Sequence, residues 1–232
     1  MSNRFIFFDC METLIDMTEI PDQRMYALWA FKESGVEKYW DSVEEFMADY
    51  LFMRKYLKHK EPFHKEYSLE ERLKIVVERK LGSQDPAHNR EIVNRLTSSF
   101  WNKYVERCYV DPEIKLALNY LQKKGYNMAV ISNFLVVGGI QQLLALLNID
   151  HYFQFVLTSV EEGWRKPHPN IYNSGLVRAQ CNAQDVVFIG DDYKNDYLAP
   201  QELGFKAILY DKQKLYPDAQ RIVSFKEIED YF

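Results

Sequence analysis

The sequence predicts an α/β fold: a doubly wound parallel sheet with an inserted all-helical domain. Three observations predict it. Short apolar runs recur along the chain without period-two alternation, as in strands buried on both faces. Helical segments separate those runs, which is the order of a doubly wound sheet. Between the first run and the second lies a long block, 17–110, with helical periodicity and no convincing buried strand.

The first run is Arg4-Phe5-Ile6-Phe7-Phe8, and Asp9 ends it. Similar runs follow at 127–131, 153–157, 186–189 and 207–210. Asp111-Pro112 opens a helix with an N-cap and a proline at the first helical position, and that helix stops near Gly125. Further helices are expected over 137–147, from the residues after Lys166-Pro167 to about Ala179, and over 195–203, ending at Gly204. In such sheets ligands bind at the carboxyl ends of the strands.

Within 17–110, Leu28, Trp29 and Phe31, then Phe46, Tyr50, Met53 and Leu57, recur at helical spacing. Ser68 with Glu71 three residues on is a capping-box pattern. A last helix runs from Pro86 to Tyr104. The expected domains are therefore a core of 1–16 and 111–232 and a helical domain of 17–110.

The chain has 232 residues, 47% of them apolar, enough for a sizeable core. A net charge of -5 excludes the basic footprint of a nucleic-acid binder. The basic run of Arg54, Lys55, Lys58, His59 and Lys60 is local and reads as a solvated helix face. Cys10, Cys108 and Cys181 are too few and too widely spaced for a disulfide framework or a zinc site. No run approaches a membrane span, and the N-terminal apolar stretch is too short for a signal peptide. A cytoplasmic setting is the expectation.

Four clusters carry candidate chemistry, each at or beyond the carboxyl end of an expected strand. Asp9 directly follows the first; an Asp there meets a ligand or caps a turn. Ser132-Asn133 follows the second, where a hydroxyl can donate to an anion or close a turn. Lys166, in Gly163-Trp164-Arg165-Lys166-Pro167-His168-Pro169, precedes a helix whose free N–H groups could share an anion with the ammonium. Gly190-Asp191-Asp192-Tyr193-Lys194-Asn195-Asp196 holds three carboxylates that repel one another without a counter-charge. Hard oxygen donors in that arrangement suit Mg²⁺.

Taken in order, Asp, Ser, Lys and Gly-Asp-Asp-x-x-Asn-Asp resemble the motifs of the haloacid dehalogenase superfamily, chiefly its phosphatase-like members. The resemblance covers 4–16 and 111–211 and implies a Rossmann-like core, with 17–110 as the helical cap that closes over the site and excludes water. It implies Asp9 as nucleophile, through a covalent aspartyl intermediate. Ser132 would bind the transferring group, with Asn133 beside it. Lys166 would neutralise nucleophile and substrate. Asp9, Asp191, Asp196 and the backbone carbonyl of Met11 would serve the Mg²⁺ site, Asp196 either through a metal-bound water or by holding Lys166. Asp192 is an outer candidate. The implied substrate is a small anionic molecule, with no nucleic acid and no membrane as partner.

Met11 departs from the pattern. The family's phosphatases carry there an Asp that protonates the leaving group and later activates water, and glycine where this chain has Glu12. Met transfers no proton; Glu12 has the chemistry of the missing acid and greater reach, but it is displaced by one position, where it can equally point away or hold the cap. Three readings follow: a Mg²⁺-dependent phosphatase with weakened acid–base catalysis, a metal-independent hydrolase acting at carbon like the family's dehalogenases (with phosphonate cleavage as a variant), or a binding protein without turnover.

Overall fold

The computed structural model describes residues 4–232 and divides into two compact units. One holds the described residues up to Asp16 together with Tyr109–Phe232; the other is Met17–Cys108. The first three residues of the expected core lie outside the described residues.

The strands are β1 (Phe5–Phe8), β2 (Asp16–Met17), β3 (Cys108–Tyr109), β4 (Asn127–Ser132), β5 (Phe155–Thr158), β6 (Val186–Gly190), β7 (Lys206–Tyr210) and β8 (Arg221–Ile222). Six form one parallel sheet in the order β5-β4-β1-β6-β7-β8. β1 lies between β4 and β6, where the strand order reverses, and such switch points open ligand crevices. Phe8 pairs with Val130 on one side and Ile189 on the other, so β1 stops first, β6 runs one residue further to Gly190 and β4 two further to Ser132. β2 and β3 pair with each other. Those two strands and β8 have two residues each, too few for a sequence period to register.

Both faces of β1 are buried, which explains its unbroken apolar run. Phe5 and Phe7 pack with Ala129, Ile131, Tyr172 and Phe188. Phe8 points the other way, its ring 6.2 Å from that of Phe153 and 6.4 Å from that of Phe225.

The second unit holds α1 (Gln23–Phe31), α2 (Val43–Lys58), α3 (Leu69–Leu81) and α4 (Pro86–Val105). Each starts on a side-chain cap: Asp22, Ser42, Ser68 and Asp85. The Ser68–Glu71 capping box is formed in both directions. Trp29 and Trp40 are buried among Phe31, Phe46, Phe100 and Tyr104 and serve packing. Asp49 balances this core by accepting from Trp40 Nε1 at 3.0 Å and Arg79 Nε at 2.8 Å. His59, His64 and Lys65 are exposed.

In the first unit, α5 (Pro112–Lys123) starts at Asp111 as the sequence predicts. α6 (Gly139–Leu146), α7 (Ser159–Glu162) and α8 (Pro169–Ala179) follow. Gly175 lets α8 lie close on the sheet: a Cβ there would stand 2.5 Å from Ile131 Cδ1. The segment expected as one helix over 195–203 is instead a wide π turn, Tyr193–Leu198, followed by α9 (Ala199–Glu202). Pro200 explains the difference. It cannot donate to a carbonyl four residues back, and its ring crowds that carbonyl, so the preceding turn widens and Ala199 N–H reaches Lys194 instead. Among the described residues no helix is long and apolar enough to cross a membrane.

Candidate active site

The carboxyl ends of β1, β4 and β6 bring the sequence-predicted residues together. Asp9 continues β1, its N–H donating to Ile189 O at 2.9 Å, and is buried. That bond carries the β1–β6 ladder one residue further and fixes where the carboxylate emerges. Beyond it the chain turns sharply: Leu14 and Ile15 N–H groups both return to Cys10 O, at 2.8 and 2.9 Å.

Lys166 lies in the loop between α7 and α8 and is only 3% exposed. Its Nζ donates to Asp9 Oδ1 and to Asp196 Oδ1, each at 2.6 Å. A buried ammonium needs such partners. Burial opposes its charge, but Asp196 and Asp9 outweigh burial and hold the group protonated well above the usual lysine range.

Asp191 and Asp196 follow β6. Thr13 donates its hydroxyl to Asp191 Oδ1 at 3.1 Å, and Asp192 N–H donates to Asp196 Oδ2 at 3.1 Å. One oxygen from each of Asp9, Asp191 and Asp196 lies within 4.8 Å of the others. Burial, then Asp9, Asp196 and Glu12, push Asp191 up to about 8. Burial also pushes Asp196 up to about 7, against the pull of Lys166. One ammonium therefore under-compensates three carboxylates. Hard, buried oxygen donors with excess negative charge fit a divalent cation of the Mg²⁺ type. Asp192 turns outward and caps the π turn, accepting from Lys194 and Asn195 N–H, both at 2.9 Å.

Ser132 ends β4 and is buried. Asn133 faces the Lys166 peptide: Nδ2 donates to Lys166 O at 3.0 Å, and Oδ1 accepts from Lys166 N–H at 2.7 Å.

Met11 is half-buried in the turn after Asp9 and bridges to Ile15. Glu12 takes a left-handed backbone, φ 61, unusual for a residue with a Cβ. Its side chain is exposed. Loss of water around it raises its carboxyl, Lys212 opposes the rise, and Asp16, Asp9 and Asp192 add to it.

Two residues with no assigned role in the sequence also build the site. Thr13 orients Asp191; its only signal was a hydroxyl four residues beyond Asp9. Tyr172 on α8 donates its hydroxyl to Asn195 O and so ties α8 to the turn that carries Asp196. Its sequence setting, Asn170-Ile171-Tyr172-Asn173, does not distinguish it from a packing aromatic.

Comparison with known proteins adds the following. A family model described as haloacid dehalogenase-like hydrolase matches residues 55–210. The ribulose-1,5-bisphosphate 5-phosphatase of Halopiger xanaduensis is 29% identical over 116 residues, 50% of this chain and 48% of that protein. Haloacid dehalogenase-like hydrolase domain-containing protein 3 of Xenopus laevis is 37% identical over 42% of this chain and 39% of its own length. Both matches span less than half of the relative. The glyceraldehyde 3-phosphate phosphatase of Pyrococcus furiosus is 22% identical over 98% of this chain and 88% of its own. Among solved structures, the 2-haloacid dehalogenase of Pseudomonas syringae pv. Tomato DC3000 superposes with a TM-score of 0.77 at 21% identity, over 98% of this chain and 96% of that one. The HAD phosphatase of Thermococcus onnurineus gives 0.68 at 16% identity, over 98% and 97%. At these identities the structural likeness shows the fold alone.

Proposed function

The chain belongs to the haloacid dehalogenase-like hydrolase family, and from that premise we propose that it is a Mg²⁺-dependent phosphatase acting on a small phosphorylated metabolite. The observation that carries this reading is the Lys166 ammonium held between Asp9 and Asp196, with Asp191 beside them. Several phosphatase-named relatives agree with it.

Asp9 is the nucleophile. Lys166 occupies Oδ1, which leaves Oδ2 to attack phosphorus. The bond to the leaving oxygen breaks and its electron pair departs with that group, giving an aspartyl phosphate. Water then attacks this phosphorus, the bond to Asp9 Oδ2 breaks with its electron pair returning to the carboxylate, and the phosphate leaves carrying the proton of that water. The Ser132 hydroxyl, at the carboxyl end of β4, donates to a phosphate oxygen. The third N–H of Lys166 remains for the same anion. Asp9, Asp191 and the Met11 carbonyl would hold Mg²⁺, and Asp196, both of whose oxygens already accept protein N–H groups, would act on it through water. When bound, that ion neutralises phosphate charge and fixes its geometry.

No carboxyl stands at position 11 to protonate the leaving group. Positioned acid–base catalysis is worth on the order of 10²–10⁴-fold. Leaving groups that depart without a proton, such as aryl, enol or acyl phosphates, are therefore the favoured substrates.

Met11 also favours a second reading, hydrolysis at carbon, since a halide leaves without protonation. The acid pair of Asp191 and Asp196 weighs against it, because that chemistry needs no metal. Turnover of an aryl phosphate with and without Mg²⁺, by the wild type and Asp9→Asn, tests the proposal. Mg²⁺-dependent turnover lost in the variant is expected. Halide release from a 2-haloacid without metal, with no phosphate release, would overturn it.

A further inference from the structure

We infer that Asn133 is a positioning residue that holds Lys166 through its backbone. This deepens the proposed function and rests on the reading of Asp9 and Lys166 as the reaction centre. Asn133 sits one residue past β4, and Lys166 lies between α7 and α8, outside every strand among the described residues. A buried backbone N–H left unpaired is costly, so the Lys166 peptide needs a partner. The Asn133 side-chain amide supplies one in the form of another peptide group. Its oxygen accepts from Lys166 N–H at 2.7 Å and its nitrogen donates to Lys166 O at 3.0 Å. The pair substitutes for one rung of a ladder between segments 33 residues apart.

The effect reaches the chemistry. Lysine has a long flexible stem, and a point charge on it is placed only as well as both ends are held. The Lys166 ammonium is held by Asp9 and Asp196, with the Phe188 ring centroid 5.3 Å away. The backbone end is held by Asn133. The two bonds fix the Asn133 amide plane on Lys166, so the role follows from protein contacts and requires no contact with substrate.

A double-mutant cycle with Lys166→Met tests this, read with 4-nitrophenyl phosphate and Mg²⁺ and by calorimetric binding of inorganic phosphate. Misplacing a reacting group by 1 Å can cost about 10²-fold, and a kcat loss of that order is expected for Asn133→Ala, with KM and phosphate affinity little changed. In the Lys166→Met background Asn133→Ala should cost nothing more, because residues that act through one another are not additive. A raised KM with weakened phosphate binding and unchanged kcat, or the full loss repeated in that background, would show direct substrate contact and overturn the inference. The crystal structure of Asn133→Ala gives an arm that needs no turnover: Lys166 Nζ should leave at least one of its two carboxylates, and an unmoved ammonium overturns the inference. Asn133→Ser, which keeps a polar group in place, carries the same measurements where the alanine variant does not fold. A wild type that hydrolyses no phosphate ester defeats the phosphatase reading and leaves the crystallographic arm standing.

Discussion

Gly190 and Asp196 cannot both be accommodated if residue 190 carries a side chain: a Cβ there would stand 2.5 Å from Cγ and Oδ2 of Asp196. Gly190 is the last residue of β6, so the constraint sits where the sheet delivers the acid-rich turn. The glycine's φ lies outside the left-handed region; its use is the close approach of a carboxylate to backbone.

Gly190→Ala should therefore displace Asp196 and release one anchor of Lys166. Overpacking of this kind costs about 1–3 kcal/mol. The thermal midpoint should fall, and turnover should fall on the order of 10²-fold, as for other misplaced reacting groups. Denaturation and steady-state kinetics on one preparation check both. Wild-type turnover in this variant would show that the Asp196–Lys166 contact does not matter to the chemistry.

The parts of this site that the sequence made legible are those set by strand ends. Asp9, Ser132, Asp191 and Asp196 each end or follow a buried run, Lys166 directly precedes a proline-marked helix start, and a parallel sheet brings such ends to one edge. What stayed hidden depends on three-dimensional register. The embrace of the Lys166 peptide by Asn133 joins two loops that no periodicity links. Gly190 reads as an ordinary turn glycine until Asp196 is placed against it. The π turn follows from Pro200, four residues beyond Asp196, the last residue of the acidic motif. β8 has two residues, too few to carry an alternation in the sequence.

The raised carboxyls give the metal-free protein a pH dependence of definite sign. Folded, Asp191 and Asp196 keep protons up to about 8 and about 7, whereas the unfolded chain releases them near 3.8. The folded state thus binds more protons across that window, and stability contributed by these groups falls as pH rises through it. A divalent cation competes with those protons. Melting temperatures with and without Mg²⁺ should differ little at low pH and increasingly above neutrality, and Asp191→Asn should flatten that divergence. A Mg²⁺ effect independent of pH would contradict the assignment.

Glu12 holds a left-handed backbone where the family's phosphatases use glycine. That conformation costs a residue with a Cβ roughly 1–2 kcal/mol. Glycine recovers this and gives back about 0.5–1 kcal/mol through the freedom of the unfolded chain. Glu12→Gly should accordingly be neutral or slightly more stable, read as a higher thermal midpoint. Glu12→Gln should leave the pH–rate profile unchanged, because the exposed carboxylate is not the proton donor of the proposed reaction. Loss of a limb of that profile would make Glu12 the acid that Met11 is not.

Met11 supplies the most direct test of the leaving-group argument. With no acid at this position, the transition state must place nearly full negative charge on the departing oxygen, so rate should depend steeply on leaving-group pKa. A series of phosphate monoesters from nitrophenyl to alkyl should give a steep negative slope for the wild type. Met11→Asp adds a carboxyl one residue before the left-handed turn, on the same backbone whose carbonyl is proposed to serve the metal. Alkyl substrates should gain on the order of 10²–10⁴-fold, the usual worth of a positioned acid, while nitrophenyl phosphate gains little. The slope should flatten accordingly. A wild-type slope already shallow would mean that another group protonates the leaving oxygen, and a Met11→Asp variant without gain would mean that the turn aims residue 11 away from it.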